Sequence, residues 1–229
     1  MTLIAIDAGH GYETPGKRSP DGMKEYDFNR AVAKECILQL EKASIKTLQT
    51  YSDSRDVPLS ERTSKANKGK ADYFISIHAN AYGNGEWNAV QGIETFIHPK
   101  KGQTANSLAS KIHSDLIAKT GRKDRGLKMA DFHVLRESNM PALLLECGFM
   151  TNREEKALLA STAYRTLCGK QIAASILSFL KKPATVAKEQ STLYRVQAGV
   201  YSSRERAEQQ VKKLKGAGFE AAIGPIPSP

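Results

Sequence analysis

The sequence predicts an α/β fold with a mostly parallel, twisted sheet, helices on both faces of the sheet, and a small β-α-β unit at the C-terminal end. Short apolar runs alternate with longer segments whose apolar residues recur at helical spacing, which is typical of α/β layers. Some of these runs are apolar throughout, as strands buried on both faces are. The 229 residues, 40% of them hydrophobic and 25% charged, are enough to bury a sizeable core.

The N-terminal half alternates strand and helix. The expected strands are residues 3–6, 47–51 and 73–77. Between the first two, apolar positions from Phe28 to Leu40 form a helical stripe within residues 24–43. A second helix begins at Pro58, because proline is tolerated in a first helical turn, and it ends near Gly69.

The second half continues the alternation and ends in a smaller unit. The expected strands are residues 92–97, 132–136 and 142–145, and the expected helices are residues 104–120, 153–160 and 163–180. Residues 182–191 contain Pro183 and no periodicity, which indicates a linker. A strand at 193–198, a helix at 203–215 and a strand at 219–223 follow; one such β-α-β unit is too small to close a core by itself. We therefore expect a domain at 1–181, a linker at 182–191 and a C-terminal unit at 192–229.

Composition excludes several classes of protein. The net charge of +10 suits a polyanionic partner, and a basic surface that only aids solubility explains it equally well. No helix-turn-helix spacing, zinc-finger spacing or basic block favours nucleic acid. No apolar run approaches the roughly 20 residues of a membrane-spanning helix, so we expect no membrane insertion. Three cysteines do not suit a disulfide-stapled scaffold, and the first residues lack the features of a signal peptide, so we expect synthesis in the cytoplasm.

Groups that bind metals or transfer protons follow three predicted strands. His10 follows the first strand, His78 follows the strand at 73–77, and Glu146 follows the apolar run at 142–145, while Glu25 begins a helix. Ligands collect outside the carboxyl ends of strands in such sheets. Two imidazoles and a carboxylate suit a catalytic zinc with an open position for water, and a second carboxylate can take the proton of that water. The residues alone predict a His2Glu zinc site with a free glutamate opposite.

Other chemistries find less support. A single histidine at a strand end is more often a hydrogen-bonded loop residue, but Glu146 directly after four apolar residues is costly unless it is paired or functional. The sequence has neither the His-Glu-x-x-His helix of zincins nor the Gly-x-Ser-x-Gly turn of serine hydrolases. Strand alternation should point Cys147 away from the site, as a small buried thiol.

Four sequence blocks carry a family resemblance. They are residues 7–11 (Asp-Ala-Gly-His-Gly), 22–29 (Gly-Met-Lys-Glu-Tyr-Asp-Phe-Asn), 76–80 (Ser-Ile-His-Ala-Asn) and 145–152 (Leu-Glu-Cys-Gly-Phe-Met-Thr-Asn). In this order, over residues 1–181, they resemble the signatures of zinc-dependent N-acetylmuramoyl-L-alanine amidases of type 3, the catalytic domain of bacterial autolysins and phage endolysins. A departure is Cys147, where many relatives have proline.

The resemblance implies a complete set of roles. His10, Glu25 and His78 would hold one zinc ion, Zn2+, and Glu146 would be the catalytic acid/base. The substrate would be peptidoglycan, cut at the amide between N-acetylmuramic acid and the L-alanine of the stem peptide. Residues 125–136 resemble the substrate-side loop and strand of that family. The candidates for substrate contact are Asn80, His133 and Arg136, and for Asn80 and His133 a structural role is an equal alternative.

The C-terminal unit carries a second resemblance. Residues 194–203, with Ala207 and residues 214–219, resemble the first half of a sporulation-related repeat (SPOR) domain, which implies peptidoglycan binding. Since a full domain needs about twice this length, the unit is either a truncated remnant or completes itself by self-association with another chain. A tail without a binding role is the alternative.

The leading prediction is a peptidoglycan hydrolase that lyses the bacterial cell wall. Without an export signal, we expect it to reach the wall after cell lysis or through a holin. Two alternatives are a non-catalytic peptidoglycan-binding protein and a zinc hydrolase of another amide or peptide bond. The positive charge then matches an anionic cell wall.

Overall fold

One mixed sheet organises the first part of the chain in a computed structural model, which describes residues 2–100, 102–181, 198–219 and 221–224. Its strands are β1 (Leu3–Ala8), β2 (Lys46–Gln49), β3 (Tyr73–Asn80), β4 (Ile93–Ile97), β5 (Asp124–Met129) and β6 (Ala142–Phe149). They lie in the order β2-β1-β3-β6-β4-β5. β4 and β6 are antiparallel and the other neighbours are parallel, so the predicted mostly parallel sheet is confirmed.

Helices cover both faces of the sheet, as the sequence predicts. They are α1 (Glu25–Lys42), α2 (Leu59–Lys68), α3 (Gly102–Thr120), α4 (His133–Arg136), α5 (Arg153–Ala160) and α6 (Thr162–Lys181). The larger core lies between the sheet and α1, α3, α5 and α6, and its strand residues include Ile6, Ile77 and Leu145. The smaller core packs α2 and α4 against the opposite face, where Phe74 and Leu144 lie.

The two cores show which face of the sheet carries the candidate site residues of the strands. Successive strand residues point to opposite faces, so Leu143 and Leu145 belong to the larger core while Leu144 belongs to the smaller one. Glu146 continues the second set and lies nearer the carboxyl end of β6. His78 and Glu146 therefore share the face of the smaller core, whereas Glu25 comes from α1, which covers the larger core.

The structure corrects the sequence prediction around residues 124–136. The strand predicted at 132–136 is wrong: His133–Arg136 forms α4, whose Val134 and Leu135 are buried in the smaller core. The prediction also missed β5, whose sequence Asp-Arg-Gly-Leu-Lys-Met has little β propensity. β5 is an edge strand held by pairing with β4, and charged residues are common on such edges.

The chain divides into two compact units, Met1–Pro183 and Ala184–Pro229. In the second unit, the predicted helix is confirmed as α7 (Arg204–Gly216), and its N-cap Ser203 accepts a hydrogen bond from the Arg206 amide. The predicted linker at 182–191 and most of the predicted strand at 193–198 lie outside the described residues. The described residues of the predicted strand at 219–223 are not in a β-strand. In the described ranges, every helix is too short or too polar to span a bilayer.

Candidate metal centre

Three side chains with metal-binding atoms meet at the carboxyl edge of the sheet. One ligand atom from each of His10, Glu25 and His78 lies within 4.8 Å of the other two. His10 Nε2 is 3.2 Å from Glu25 Oε2, and His78 Nδ1 is 3.0 Å from Glu25 Oε1. The imidazole rings are perpendicular, with their centroids 5.0 Å apart. Two imidazole nitrogens and a carboxylate form the donor set of a catalytic zinc, which keeps a further position for water.

Each ligand is positioned by a different element. His10 follows β1 with φ 65°, a left-handed conformation that histidine adopts more readily than most residues. His78 lies within β3. Glu25 begins α1, where the positive end of the helix dipole favours a carboxylate. Its Oε1 also accepts hydrogen bonds from Asn29 Nδ2 at 3.0 Å and from the Ala79 amide at 3.2 Å.

The electrostatics of the site keep Glu25 ionised. Burial alone would raise the pKa of Glu25, but its hydrogen bonds to His10 and His78 hold that pKa well below its ordinary value. Burial lowers the pKa of His78, and the adjacent carboxylate of Glu25 outweighs this and raises the pKa overall. Glu25 is therefore a carboxylate, the form that binds a metal ion.

A buried ion pair between Arg62 and Asp7 holds the two histidines in position. Arg62 is 2% exposed, and it donates hydrogen bonds to Asp7 Oδ1 at 2.8 Å and to the His10 carbonyl at 2.6 Å. Asp7 Oδ2 accepts from Ser76 Oγ at 2.8 Å, and Ser76 Oγ lies 3.2 Å from His78 Nε2. One hydrogen-bonded chain therefore links both histidines to the same arginine.

Glu146 lies opposite His78 in the register of β3 and β6. Its Oε2 is buried and accepts no hydrogen bond from any described residue. Burial raises the pKa of Glu146 to about 8; His78 opposes this shift, while Glu25 and Glu94 add to it. A carboxyl group with a pKa near neutrality can both accept and return a proton.

Glu94 was not identified from the sequence, although an acidic residue in an apolar strand is a usable signal. It is 4% exposed and lies opposite Glu146 on the other side of β6. Asn80 Nδ2 donates to Glu94 Oε1 at 2.8 Å, and Lys128 donates to Glu94 Oε2. Asn80, a predicted substrate contact, therefore lies on the strand next to that of Glu146, and its side chain is hydrogen-bonded to Glu94.

The other two predicted substrate contacts lie on α4. His133 has a buried Nε2 without a partner among the described residues. Arg136 forms ion pairs with Asp131 at 2.9 Å and with Glu137 at 2.8 Å. Within the described ranges, no hydrogen bond or ion pair joins His133 or Arg136 to the metal-binding side chains. The buried thiol of Cys147 faces the larger core, as its position in the strand predicts.

Comparison with protein families gives two matches. The profile described as N-acetylmuramoyl-L-alanine amidase matches residues 4–178. The SPOR domain profile matches residues 159–223. The two matches overlap at residues 159–178, which belong to the first compact unit.

Individual relatives agree with the first profile. The chain is 32% identical over 225 residues to N-acetylmuramoyl-L-alanine amidase CwlM of Bacillus licheniformis, covering 97% of this chain and 85% of that protein. It is 33% identical over 226 residues to the sporulation-specific N-acetylmuramoyl-L-alanine amidase of Bacillus subtilis, covering 97% and 84%. The crystal structure of N-acetylmuramoyl-L-alanine amidase from Clostridium difficile 630 superposes with a TM-score of 0.74 at 34% identity, covering 79% of this chain and 97% of that one.

Proposed function

The chain belongs to the N-acetylmuramoyl-L-alanine amidase family and hydrolyses peptidoglycan, and from this premise we propose that His10, Glu25 and His78 bind one zinc ion while Glu146 is the catalytic acid/base. One observation carries this assignment. The three ligand atoms converge beside Glu146, whose buried Oε2 no described residue uses. Such an orphaned carboxylate oxygen is costly unless it serves the substrate or its attacking water.

The residues divide the work of amide hydrolysis. Zinc bound at this site would lower the pKa of a coordinated water and polarise the carbonyl of the substrate. Glu146 accepts a proton from the water that attacks the lactyl carbonyl of N-acetylmuramic acid. Glu146 then donates this proton to the nitrogen of L-alanine as the amide C–N bond breaks. The products are the free lactyl carboxylate and a stem peptide with a new amino terminus.

Asn80, His133 and Arg136 remain proposals as substrate contacts. Asn80 has the strongest support because its side chain lies in the polar cluster beside Glu146. The unpartnered Nε2 of His133 supports a polar contact on α4. Arg136 is supported only by its exposure, since its guanidinium already pairs with two acidic residues.

Two variants separate acid/base chemistry from metal binding. We expect Glu146→Gln to keep bound zinc and to lose about 100-fold or more of its activity, since a positioned acid/base contributes roughly this factor. His10→Ala should lose the zinc. Purified peptidoglycan is the substrate, newly freed L-alanine amino termini are counted, and zinc content is measured by elemental analysis. Glu13→Gln, which removes an exposed carboxylate, is the matched control.

The outcomes are distinct. A Glu146→Gln protein that digests peptidoglycan at the parental rate would exclude the acid/base role. A His10→Ala protein with full zinc content would exclude the ligand assignment. New amino termini that belong to a residue other than L-alanine would favour a hydrolase of another peptide bond, and peptidoglycan binding without any new termini would favour a binding protein.

We further propose that residues 1–181 are the catalytic domain, 182–191 a linker and 192–229 a partial SPOR-like unit. The division of the chain into two compact units supports a boundary near residue 182, and the SPOR match, which begins at residue 159, supports the SPOR-like character of the C-terminal unit. Self-association through the C-terminal unit is supported by its exposed apolar side chains, which include Val200, Tyr201 and Phe219. Release to the wall by cell lysis or through a holin stays a prediction.

A further inference from the structure

Arg125, the second residue of β5, has a side chain held in place on three sides. The aliphatic part of its side chain packs against Gly92, and a Cβ on that glycine would lie 2.9 Å from Arg125 Cγ. Its guanidinium lies over the ring of Phe149, 4.9 Å from the centroid. Its Nε is 3.4 Å from Glu94 Oε2. A guanidinium fixed in this way loses little conformational freedom when it binds a ligand.

The hydrogen-bonding capacity of this arginine is unused. No described residue accepts a hydrogen bond from the guanidinium, although its Nε is buried. The side chain is 25% exposed, so its outer nitrogens reach solvent. A planar guanidinium with free outer nitrogens matches the two oxygens of a carboxylate.

Arg125 shares its carboxylate partner with a second cation. Among the described residues, Glu94 carries the one carboxylate that forms an ion pair with Arg125, and Lys128 pairs with the same Glu94 oxygen. Glu155 lies behind Gly92, whose amide donates to it at 2.9 Å, and its charge interacts with both Arg122 and Arg125. Arg125 and Lys128 thus share the single carboxylate of Glu94, which favours an anionic ligand at the exposed nitrogens of Arg125.

Arg125 is also at the right distance from the reaction. Glu94 is the register partner of Glu146, and side chains in such pairs have Cβ atoms about 5 Å apart. Arg125 lies one strand beyond Glu94, so its backbone is about two strand spacings, or about 10 Å, from that of Glu146, and the long arginine side chain brings the guanidinium within two or three residues of extended peptide, at about 3.4 Å each, of the reacting amide. In peptidoglycan the residue after L-alanine is D-glutamate linked through its γ-carboxyl, which leaves an α-carboxylate free or amidated.

We propose that Arg125, supported by Lys128 and oriented by Glu94 and Phe149, binds the free α-carboxylate of the second stem-peptide residue. The inference rests on the proposed amide cleavage beside Glu146. The site makes the enzyme prefer peptidoglycan whose second residue carries a carboxylate over peptidoglycan in which that group is a carboxamide.

The test uses two synthetic N-acetylmuramyl tripeptides that differ only in this α-carboxylate or α-carboxamide. The wild-type enzyme should cleave the acid with a kcat/KM at least about tenfold higher, expressed mainly in KM, because a hydrogen-bonded ion pair is worth this factor. Arg125→Gln should bring the ratio of the two kcat/KM values close to one. Arg125→Lys keeps the positive charge but not the planar guanidinium, so it should keep part of the preference for the acid. Arg55→Gln, which removes an exposed arginine paired with Glu61, is the control and should keep the wild-type ratio.

Titration with the released peptides gives a readout that needs no turnover. The acid peptide should bind the wild-type enzyme at least about tenfold more tightly than the amidated peptide, and Arg125→Gln should abolish this difference. Equal kcat/KM values for both substrates in wild type and Arg125→Gln would overturn the subsite and leave the amidase reaction intact. Failure to cleave either substrate would count against the proposed function, and the peptide titration would still decide the subsite.

Discussion

Gly9 provides the sharpest test of the metal centre, because a methyl group there would occupy the space of a ligand. A Cβ at this position would lie 2.0 Å from Cε1, 2.3 Å from Nε2 and 2.4 Å from Nδ1 of His78. The backbone cannot easily withdraw, since the Gly9 amide donates to the Ile77 carbonyl at 3.0 Å. On either side of Gly9, Arg62 holds the carbonyls of Ala8 and His10. In Gly9→Ala, the imidazole must therefore move.

The size of the movement follows from the contact distances. The ring has to retreat by about 1 Å, from 2.0 Å to the 3.0 Å below which Cβ contacts essentially do not occur. Zinc–ligand distances tolerate only about 0.2 Å, so His78 should cease to be a ligand. We expect zinc affinity to fall by at least about 100-fold, more than changes beyond the ligands themselves usually cost. Overpacking of about 1–3 kcal/mol should also lower the melting temperature, by about 2–4 °C for each kcal/mol.

The assay is competition for zinc with a chromophoric chelator, alongside circular dichroism to confirm folding. Gly216→Ala is the matched control, because a Cβ at Gly216 meets nothing within 4 Å. The control should bind zinc as the wild type does. If folded Gly9→Ala binds zinc within about threefold of the wild type, the assignment of His78 as a ligand in this geometry is refuted.

Three further predictions follow from the structure. Arg62→Met leaves the buried Asp7 carboxylate without its cation, so we expect unfolding in urea to show a loss of about 3–5 kcal/mol, and a loss below about 1 kcal/mol would contradict the role of the ion pair. Burial raises the folded-state pKa of Glu146 from 4.5 to about 8, so its stabilising contribution is complete below pH 4.5 and is lost as the pH rises through 8. In chelator-treated protein, the melting temperature should fall less between pH 6 and 9 for Glu146→Gln than for the wild type, and equal falls would contradict this pKa. Truncation after Lys182 should leave hydrolysis of small soluble fragments intact and weaken pull-down by insoluble peptidoglycan, whereas unchanged pull-down would argue against a binding role for the C-terminal unit.

The sequence predicts the central strands well because their own side chains are apolar enough to require burial. The runs that became β1, β3 and β6 are apolar enough to be buried on both faces, whatever lies beside them. β5 has no such signal, since its strand conformation depends on pairing with β4. α4 depends in the same way on burial of Val134 and Leu135 against a neighbouring surface. The residues of β5 and α4 do not predict these conformations by themselves, because the conformations depend on contacts with other parts of the fold.

The same distinction applies to the site. His10, Glu25, His78 and Glu146 are visible in the sequence because each directly follows or nearly follows an apolar strand run or begins a helix. Their supporting residues are not visible in this way. Arg62 lies in the middle of α2, and only the packing of that helix under β1 brings its guanidinium to Asp7 and the His10 carbonyl.

The buried polar atoms show how the same sheet face supports both stability and catalysis. Toward the carboxyl ends of the strands, the apolar residues beneath α2 and α4 give way to polar ones, which have to be hydrogen-bonded to be tolerated there. Asp7 meets this condition, since it accepts hydrogen bonds from Thr50, Arg62 and Ser76. Glu146 and Arg125 do not, because each keeps a buried polar atom without a partner among the described residues. Glu146 and Arg125 flank Glu94 on neighbouring strands, where a substrate amide beside Glu146 and the carboxylate of the next peptide residue at the outer nitrogens of Arg125 would bind together.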